Sequence, residues 1–474
     1  MAPSRFMGQA ARPEASELLP VYQELFSRPV VRRFVQATQA RLRWRLLTPL
    51  IVLWGLVFQR LSDDHTADAV VSHLRGGGAD GLDPALRSPE PLSRRLQSES
   101  NSGYVQGRNR LPLAVLEQAL AYVRRWVMAQ YTPEQLTWHG LVVRVLDGTT
   151  FRMLTTPALV EAYGPNTNRY GVSQWVVVPS VVAFCLGSKT VVAHQEGRST
   201  QSENALMRSV LEADPVPDSV YIADRRFGTY QVAQVAHALG HPVVLRLTTR
   251  VAQRLLKTVG RQRLASGSEI DLAWTHQRNS LLEADLPPDP IPGRWLYVRV
   301  HERGFRPFEV YLFTTLDRTT YSVAEIAALY GRRWEGELDY RHLKTTLEME
   351  AFSVKSPTMF QKELAAGLLT YNLICAWMVK AAQKAGITPQ ELSFSRCARR
   401  VRDFVRHGPP AWVEPGQEEA YLVARLAQCR LPKQPNKVRH EPRQVRRKPA
   451  VYPALKGSRA KARRHIKREA TQHH

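Results

Sequence analysis

The spacing of hydrophobic positions changes character near residue 140. Before that point, apolar residues recur at helical spacing, first over residues 31–35 and then in the run 46–58. This run is bracketed by Arg45 and Arg60, and it falls short of the roughly 20 apolar residues that a membrane span needs. It therefore predicts a buried helix, and we expect no membrane among the partners of this chain.

Residues 1–135 are predicted to form a helical N-terminal region. Helical spacing returns over 111–130, and Thr132 and Gln135 stand at the two positions of a capping box that starts another short helix. Between these helices, residues 76–102 are rich in Gly, Pro and Ser and lack periodicity, which predicts a mobile linker.

From Leu141 onward, runs of β-branched residues predict strands. Three strands come in direct succession, at 141–154, 175–186 and 190–194. The elements that follow are helix 202–213, strand 219–224, helix 230–239 and strand 243–249. Three consecutive strands followed by this alternation predict an α/β fold with a mixed sheet.

The rest of the chain shows a strand-like pattern followed by helical patterns. Residues 250–321 are strand-like, with Pro-rich interruptions. Ser322 and Glu325 then form a second capping-box pattern, which predicts one long helix that runs past Lys344. Residues 360–430 again show helical spacing.

Composition departs from that of an ordinary globular protein only in its charge. Hydrophobic residues make up 44% of the chain and charged residues 23%, which is enough apolar content for a folded core. Lys and Arg number 66 against 42 Asp and Glu, a net charge of +24, so a polyanion is the first partner to consider. The four cysteines lack metal or disulfide spacing and no signal peptide is predicted, so we expect a cytoplasmic protein.

More than half of the excess charge lies at the C-terminus. The last 45 residues carry fifteen basic residues and two acidic ones, which is +13 of the +24. Because they are also nearly devoid of apolar residues, residues 431–474 are predicted to be a disordered basic tail. Two roles fit this composition: a solubilising tail, or a segment that contacts DNA phosphates with a strong dependence on salt.

Three acidic residues stand out by position. Asp147 is expected at the end of the first strand, Asp224 at the end of the fourth, and Glu337 in the long helix. Carboxylates at the ends of adjacent strands can share a divalent ion, and Mg²⁺ prefers such ligands. An ordinary origin stays open here, because Asp-Gly is a common turn dipeptide and Asp224 can pair with Arg225 at the surface.

Five residues of the long helix are predicted to share one face: Tyr330, Arg333, Glu337, Arg341 and Lys344. At about 100° per residue they fall on a narrow stripe. An acid flanked by a phenol and by cations suits a site that binds a metal ion and grips the phosphates around it. Ion pairs such as Arg333 with Glu337 are also common on solvated helix faces, so both interpretations remain at this point.

The pattern Tyr330-x2-Arg333-x3-Glu337-x6-Lys344 resembles the Y-R-E-K signature of the DDE transposases of the insertion-sequence-4 family, cut-and-paste enzymes of bacterial mobile elements. The L-D-G-T stretch around Asp147 is similar to the first-Asp motif of that family. The A-D-R-R-F stretch that contains Asp224 is similar to its A-D-R-x-F motif. The resemblance covers residues 140–350; it is weaker over 30–130 and absent from the basic tail.

The resemblance implies a ribonuclease-H-like catalytic core formed by residues 140–250 and 322–358. A β-insertion at 251–321 interrupts this core, and a helical region at 359–430 follows it. Residues 1–135 would then be a DNA-binding region.

The resemblance also assigns roles to residues. Asp147, Asp224 and Glu337 would be the catalytic, metal-binding triad. Tyr330, Arg333 and Lys344 would contact DNA near the cleaved end, and we expect Arg341 to join them because it shares their stripe. Relatives place a base-stacking tryptophan just before the last strand of the insertion, where this chain has Val310-Tyr311. Tyr311 and the earlier Trp295 are the candidates for that role.

The implied activity is metal-dependent cleavage at the ends of a DNA element, followed by strand transfer. Two Mg²⁺ ions are expected, with Mn²⁺ as a substitute. The expected partners are double-stranded DNA, from the terminal inverted repeats and the target, and a second copy of the chain in the synaptic complex. We expect the protein to associate with the nucleoid. Two alternatives remain: a structure-specific nuclease or resolvase on the same core, and an inactive copy that only binds element ends.

Overall fold

The structure of this protein is a computed structural model. It describes residues 20–432 with the exception of 84–89, 169–170, 215, 217, 261–263, 278–280 and 301–307, and beyond these only positions 458, 460–461, 464–465 and 468. The predicted disordered tail at 431–474 therefore lies almost wholly outside the described residues.

The N-terminal region is helical, as predicted, in the part that the structure describes, from residue 20 onward. Its helices are α1 (Pro20–Leu25), α2 (Arg28–Ala37), α3 (Pro49–Leu61), α4 (Ala67–Arg75), α5 (Leu92–Arg95), α6 (Ser102–Arg110), α7 (Leu113–Met128) and α8 (Pro133–Leu136). Every residue of α3 is buried, which confirms the buried helix predicted from the apolar run. The described part of the predicted linker makes contacts with these helices: Asp83 accepts hydrogen bonds from Arg28 at 3.3 Å and from the Thr48 hydroxyl at 2.9 Å.

A mixed sheet forms the centre of the molecule. The strands are β1 (Thr137–Trp138), β2 (Leu141–Leu154), β3 (Thr167–Asn168), β4 (Gly171–Val172), β5 (Trp175–Cys185), β6 (Val191–Glu196), β7 (Ser219–Ala223), β8 (Val243–Leu247), β9 (Glu269–Trp274), β10 (Ile291–Val300), β11 (Phe308–Thr314) and β12 (Ala351–Phe352). The order across the main sheet is β6-β5-β2-β7-β8-β11-β10-β9, with β1 and β12 paired to β2.

The first five strands of that order identify the fold class. β5 pairs antiparallel with both β6 and β2, whereas β7 is parallel to β2 and β8 is parallel to β7. An antiparallel three-stranded meander extended by two parallel strands is the sheet of a ribonuclease-H-like core. The predicted α/β fold class is therefore confirmed.

The predicted insertion extends the same sheet. β11, β10 and β9 add to β8 one after another, each antiparallel to its neighbour. The start of this segment departs from the prediction, because Thr249–Thr258 form a helix, α12, and not a strand. Ala252, Leu255 and Leu256 are its buried residues. Their i, i+3, i+4 spacing is the helical signal that the strand interpretation overlooked.

Helices cover both faces of the sheet. α10 (Glu203–Glu212), α11 (Tyr230–Ala238) and α12 share a core with Val142 and Leu146 of β2. On the other face, α13 (Val323–Gly331) packs with Val143 and Val145. Because successive side chains of a strand point to opposite faces, the side chain of Asp147 leaves β2 on the α13 face, and Gly148 faces α10.

The helix predicted to run unbroken from Ser322 past Lys344 consists of three pieces. α13 does begin with the predicted capping box of Ser322 and Glu325, but it ends at Gly331. After one turn residue, α14 spans Arg333–Arg341, and a π-helical turn spans His342–Thr346.

The C-terminal region is helical, as predicted. It contains α15 (Pro357–Ala385), α16 (Phe394–His407) and α17 (Glu418–Ala427). The short α9 (Pro157–Tyr163) lies much earlier in the chain, between β2 and β3. α15 is long and apolar enough to cross a membrane, but 94% of its apolar window is buried inside the fold. It packs against α7 and α3 and is the central helix of the largest hydrophobic core.

Candidate active site

Asp147 lies in the middle of β2 and not at its end, so that part of the prediction was wrong. β2 pairs with β5 along most of its length, and Asp147 is opposite Val182. On its other side the pairing with β7 stops at Leu146, opposite Ala223. Asp147 is therefore the first residue of β2 beyond the end of β7, where the sheet opens.

Asp224 directly follows the last residue of β7, as predicted. Its Oδ1 accepts a hydrogen bond from the main-chain N–H of Arg226 at 2.8 Å, which shapes the turn toward α11. Phe227 is buried, and Gly228 packs so closely on β8 that an added Cβ would lie 2.1 Å from the carbonyl oxygen of Arg246. These contacts fix Asp224 at the opened side of β2.

Two residues of α14 bring Glu337 to the same place. Gly336 is the point of closest approach, since a Cβ built there would lie 2.6 Å from Cγ1 of Val145 in β2. One turn later, the hydroxyl of Tyr340 donates a hydrogen bond to the main-chain carbonyl of Asp147. It also accepts one from the N–H of Val182 at 2.9 Å. The helix that carries Glu337 is thus bound to the strand that carries Asp147.

The three carboxylates interact electrostatically. Burial raises the pKa of Asp147 to about 7, and the negative charges of Asp224 and Glu337 contribute to the increase. The Gly148 N–H, which donates to Oδ1 of Asp147 at 2.9 Å, and the guanidinium of Arg333 act in the opposite direction. Asp224 and Glu337 are therefore close enough to Asp147 for their charges to raise its pKa.

The same side chains are suited to a divalent cation. Within the described residues, no three Asp, Glu, His or Cys side chains are close enough together to ligate one ion. Glu337 instead forms an ion pair with Arg333, with Oε1 and Nη2 2.6 Å apart. Burial and, to a smaller extent, the charges of Asp224 and Glu337 disfavour the ionised form of Asp147, and a positive ion placed among these oxygens would offset both effects. The donor set therefore fits a hard divalent ion.

Tyr330 and Arg333 lie beside this acidic cluster, and both are buried. The guanidinium carbon of Arg333 is 5.9 Å from the centroid of the Tyr330 ring. The Tyr330 hydroxyl and Arg333 Nε have no hydrogen-bond partner in the described part of the chain. Because buried polar atoms are rarely left without a partner, these two atoms are suited to a ligand that supplies acceptors.

Arg341 and Lys344 are placed differently. Arg341 is exposed at the end of α14, and Lys344 is half-buried in the π-helical turn. A π turn bonds i to i+5, so the angles predicted at about 100° per residue do not apply beyond Arg341. The predicted angle of Lys344 on the stripe therefore does not hold, whereas Arg333 does contact Glu337 and lies near the Tyr330 ring.

The two aromatic candidates for base stacking differ in access. Trp295 is only 2% exposed and packs within the sheet core, so its indole does not reach a base outside the protein. Tyr311 is half-buried and stacks on Tyr297 with their ring centroids 5.2 Å apart; its hydroxyl donates to Glu309 at 2.7 Å.

Sequence reasoning missed several residues of this site. Tyr340 lies three positions after Glu337, a spacing that places both on one helical face and was an available signal. Gly336 and Gly148 carried no signal, because close approach of another element is visible only in the tertiary structure. Glu203, whose carboxylate lies over Gly148, belongs to no recognised motif.

Comparisons with known proteins add independent findings. The profile of the transposase DDE domain family matches residues 138–373. The chain is 25% identical over 436 residues to transposase InsG of insertion sequence element IS4 from Escherichia coli strain K12, which covers 90% of this chain and 91% of that protein. A 70-residue stretch is 34% identical to the transposase of insertion sequence element IS421 from Escherichia coli, covering 15% of this chain and 18% of that one.

Among solved structures, a piggyBac transposase in a synaptic complex with hairpin DNA aligns with 89% of this chain and 86% of its own. The sequence identity is 12% and the TM-score is 0.37.

Proposed function

The chain belongs to the DDE transposases of the insertion-sequence-4 family and is a DNA transposase, and on that premise we propose that Asp147, Asp224 and Glu337 are its catalytic carboxylates. The observation that carries this assignment is geometric: Asp147 lies just beyond the end of β7, Asp224 directly follows β7, and the hydrogen bond from Tyr340 to Asp147 holds the helix of Glu337 against β2. These three acidic groups come from a strand, a strand end and a helix that meet where β2 continues past the end of β7.

DDE transposases use divalent metal ions. We assign two Mg²⁺ ions to the triad, with Mn²⁺ as a substitute; when bound, such a pair activates the attacking oxygen and stabilises the leaving oxygen at phosphorus. Asp147 and Asp224 would hold the ions at the sheet edge. Glu337 would exchange its pairing with Arg333 for a place among the ligands.

That exchange leaves Arg333 available for DNA. Its guanidinium, which is buried beside the triad and has an unpaired Nε, would donate to a phosphate near the cleaved end. The partnerless hydroxyl of Tyr330 would donate to the same region. Arg341 and Lys344 lie farther along the chain, so we assign them to phosphates farther from the cut.

The wider assembly follows from the charge and from the family. The helical N-terminal region would bind the terminal inverted repeats, and the basic tail would contact phosphates of any sequence. We propose that two copies of the chain act in the synaptic complex that joins element ends to target DNA. The protein would work in the cytoplasm, associated with the nucleoid.

The test uses a duplex that ends in the inverted repeats flanking the gene, a target plasmid and Mg²⁺. Wild type should nick the duplex at the element end and join the freed end to the plasmid. Asp147→Asn, Asp224→Asn and Glu337→Gln should bind the duplex at least as tightly as wild type, because each removes negative charge near phosphates, but none should cut or join.

Each alternative has its own signature in this assay. Cutting by wild type without joining would make the protein a nuclease or resolvase. Binding by wild type without cutting would make it an inactive copy. Substantial nicking by Asp147→Asn would remove Asp147 from the site.

A further inference from the structure

A fourth carboxylate, that of Glu203, lies against the residue that follows Asp147, on the opposite face of β2. Glu203 is the first residue of α10, on the face of the sheet that Gly148 faces. A Cβ built on Gly148 would lie 2.2 Å from both Cδ and Oε2 of Glu203. The carboxylate therefore occupies the space that a side chain at position 148 would need, directly after Asp147. The side chain of Glu203 is only 14% exposed.

Arg226 pairs with this carboxylate. Its Nη1 lies 2.9 Å from Oε1 and 3.0 Å from Oε2 of Glu203. The main-chain N–H of Arg226 donates to Asp224, so the same residue is tied to the triad through its backbone. The hydrogen bonds to Glu203 and its charge, together with the charges of Asp224 and Asp147, raise the pKa of Arg226.

The outer part of the Arg226 guanidinium faces solvent. The side chain is 71% exposed, and its hydrogen bonds to described residues use Nη1 only. An arginine has five N–H donors in a rigid fork that matches phosphate geometry. While Nη1 stays paired with the Glu203 carboxylate, the remaining donors can therefore bind a phosphate.

We propose that Glu203 is a positioning residue and Arg226 a DNA-contacting residue of this active site. The Glu203 carboxylate, which packs against Gly148, holds the Arg226 guanidinium near Asp147 and Asp224. The donors of Arg226 that Glu203 does not use bind a phosphate of the strand to be cut. This inference rests on the proposed function of the triad.

Electrostatics and entropy both favour this arrangement. A site that holds three carboxylates repels a polyanion, and the guanidinium of Arg226, which is influenced by the charges of Asp224 and Asp147, offsets that repulsion. A free arginine side chain loses rotamer freedom when it binds a phosphate, whereas one already held by Glu203 loses less. The pair therefore acts mainly on the cleavage step, which depends on an accurately placed phosphate.

The test compares Glu203→Gln, Arg226→Gln and the double variant, all on the element-end duplex in Mg²⁺. Arg208→Gln is the matched control, because Arg208 lies on the same helix α10 and its Nη1 donates to both carboxylate oxygens of Asp285, at 2.7 and 2.8 Å, as Nη1 of Arg226 does to Glu203. Arg226→Gln should lower the cleavage rate about 10- to 150-fold. It should also flatten the salt dependence of binding by about one phosphate contact.

Glu203→Gln should lower cleavage by a similar factor but leave the salt slope unchanged, because Arg226 keeps its charge and loses only its fixed position. The double variant should cleave no more slowly than Arg226→Gln alone, since both changes remove one interaction. Arg208→Gln should match wild type in both measurements.

Additive losses in the double variant, or an equal loss of cleavage in Arg208→Gln, would overturn the inference. If Glu203→Gln fails to melt cooperatively, Gly148→Ala serves instead, because it displaces the carboxylate without removing a charge. Failure of the proposed function has a different signature: wild type would not cut, or Asp147→Asn would cut, whatever the Glu203 and Arg226 variants do.

Discussion

The hydroxyl of Tyr340 donates a hydrogen bond to the main-chain carbonyl of Asp147 and accepts one from the N–H of Val182 at 2.9 Å. One side chain thus ties α14 to both β2 and β5. Because Glu337 lies on α14 and Asp147 on β2, this contact sets the position of the helix carboxylate relative to the strand carboxylate.

Tyr340→Phe should therefore affect both stability and chemistry. It leaves the buried N–H of Val182 without the hydroxyl acceptor, which costs about 1–3 kcal/mol of unfolding free energy. Cleavage should fall because α14 loses its anchor, whereas DNA affinity should stay near that of wild type. Chemical denaturation and single-turnover cleavage measure the two effects.

Tyr22→Phe is the matched control for that variant. The Tyr22 hydroxyl is also buried and donates to a main-chain carbonyl, that of Leu50 at 3.2 Å, but in the N-terminal helical region. It should lose stability without losing cleavage at a temperature where it is folded. An equal loss of cleavage in Tyr22→Phe would mean that the effect of Tyr340 is only one of stability.

Gly336→Ala should push α14 away from β2. The added Cβ would lie 2.6 Å from Cγ1 of Val145, and overpacking of this kind costs about 1–3 kcal/mol. Gly331→Ala is the control, because at Gly331, the last residue of α13, no atom lies within 4 Å of the added Cβ. It should be neutral or stabilising, by up to about 1 kcal/mol. Loss of cleavage in Gly336→Ala alone is the expected result, and equal behaviour of the two variants would contradict it.

Much of the core was predictable because its strands follow simple local rules. The β-branched runs that became β2, β5 and β7 gave their positions to within a few residues, and the motifs located Asp224 directly after β7. Asp147 was misplaced because the strand run simply continues past it. What distinguishes Asp147 is that the neighbouring strand β7 ends beside it. The local sequence of β2 contains no information on where β7 ends.

The shape of the helical segment that carries Glu337 was harder to predict, for a related reason. The break at Arg332 follows Gly331, a weak helix former, but neither the break nor the π turn at His342–Thr346 contains a proline, and a uniform helical period detects neither of them. Likewise, the contacts of Glu203 and Tyr340 join residues far apart in the chain. Their importance follows from packing, so residue spacing within one segment did not find them.

Metal should stabilise wild type and leave Asp147→Asn unaffected. A ligand present at 100 times its dissociation constant adds about 2.7 kcal/mol to the unfolding free energy. Without metal, Asp147→Asn should be at least as stable as wild type, because it removes repulsion from Asp224 and Glu337. Melting curves with and without Mg²⁺ or Mn²⁺ measure both effects, with Asp285→Asn as a control that keeps the metal response. A wild-type response in Asp147→Asn would place the ion elsewhere.

Deletion of residues 431–474 should weaken binding to all DNA alike and flatten the plot of log affinity against log salt, because a flexible basic segment contacts phosphates and not bases. Titrations of a specific and an unrelated duplex at several salt concentrations measure this slope. Nicking at low salt by the truncated chain is the control for an intact catalytic core. An unchanged slope would make the tail a solubilising segment.

The most direct test of the catalytic assignment compares cleavage and strand transfer by Glu337→Gln and Arg333→Gln at fixed salt, with Mg²⁺ and Mn²⁺ titrated. Glu337→Gln removes a metal ligand, so nicking and joining should both fall to background. Arg333→Gln and Lys344→Gln each lose one charge-assisted contact and should slow about 10- to 150-fold. Tyr330→Phe should cost less. If Glu337→Gln retains more activity than Arg333→Gln, Glu337 is not a ligand, and its 2.6 Å contact with Arg333 is an ordinary helical ion pair.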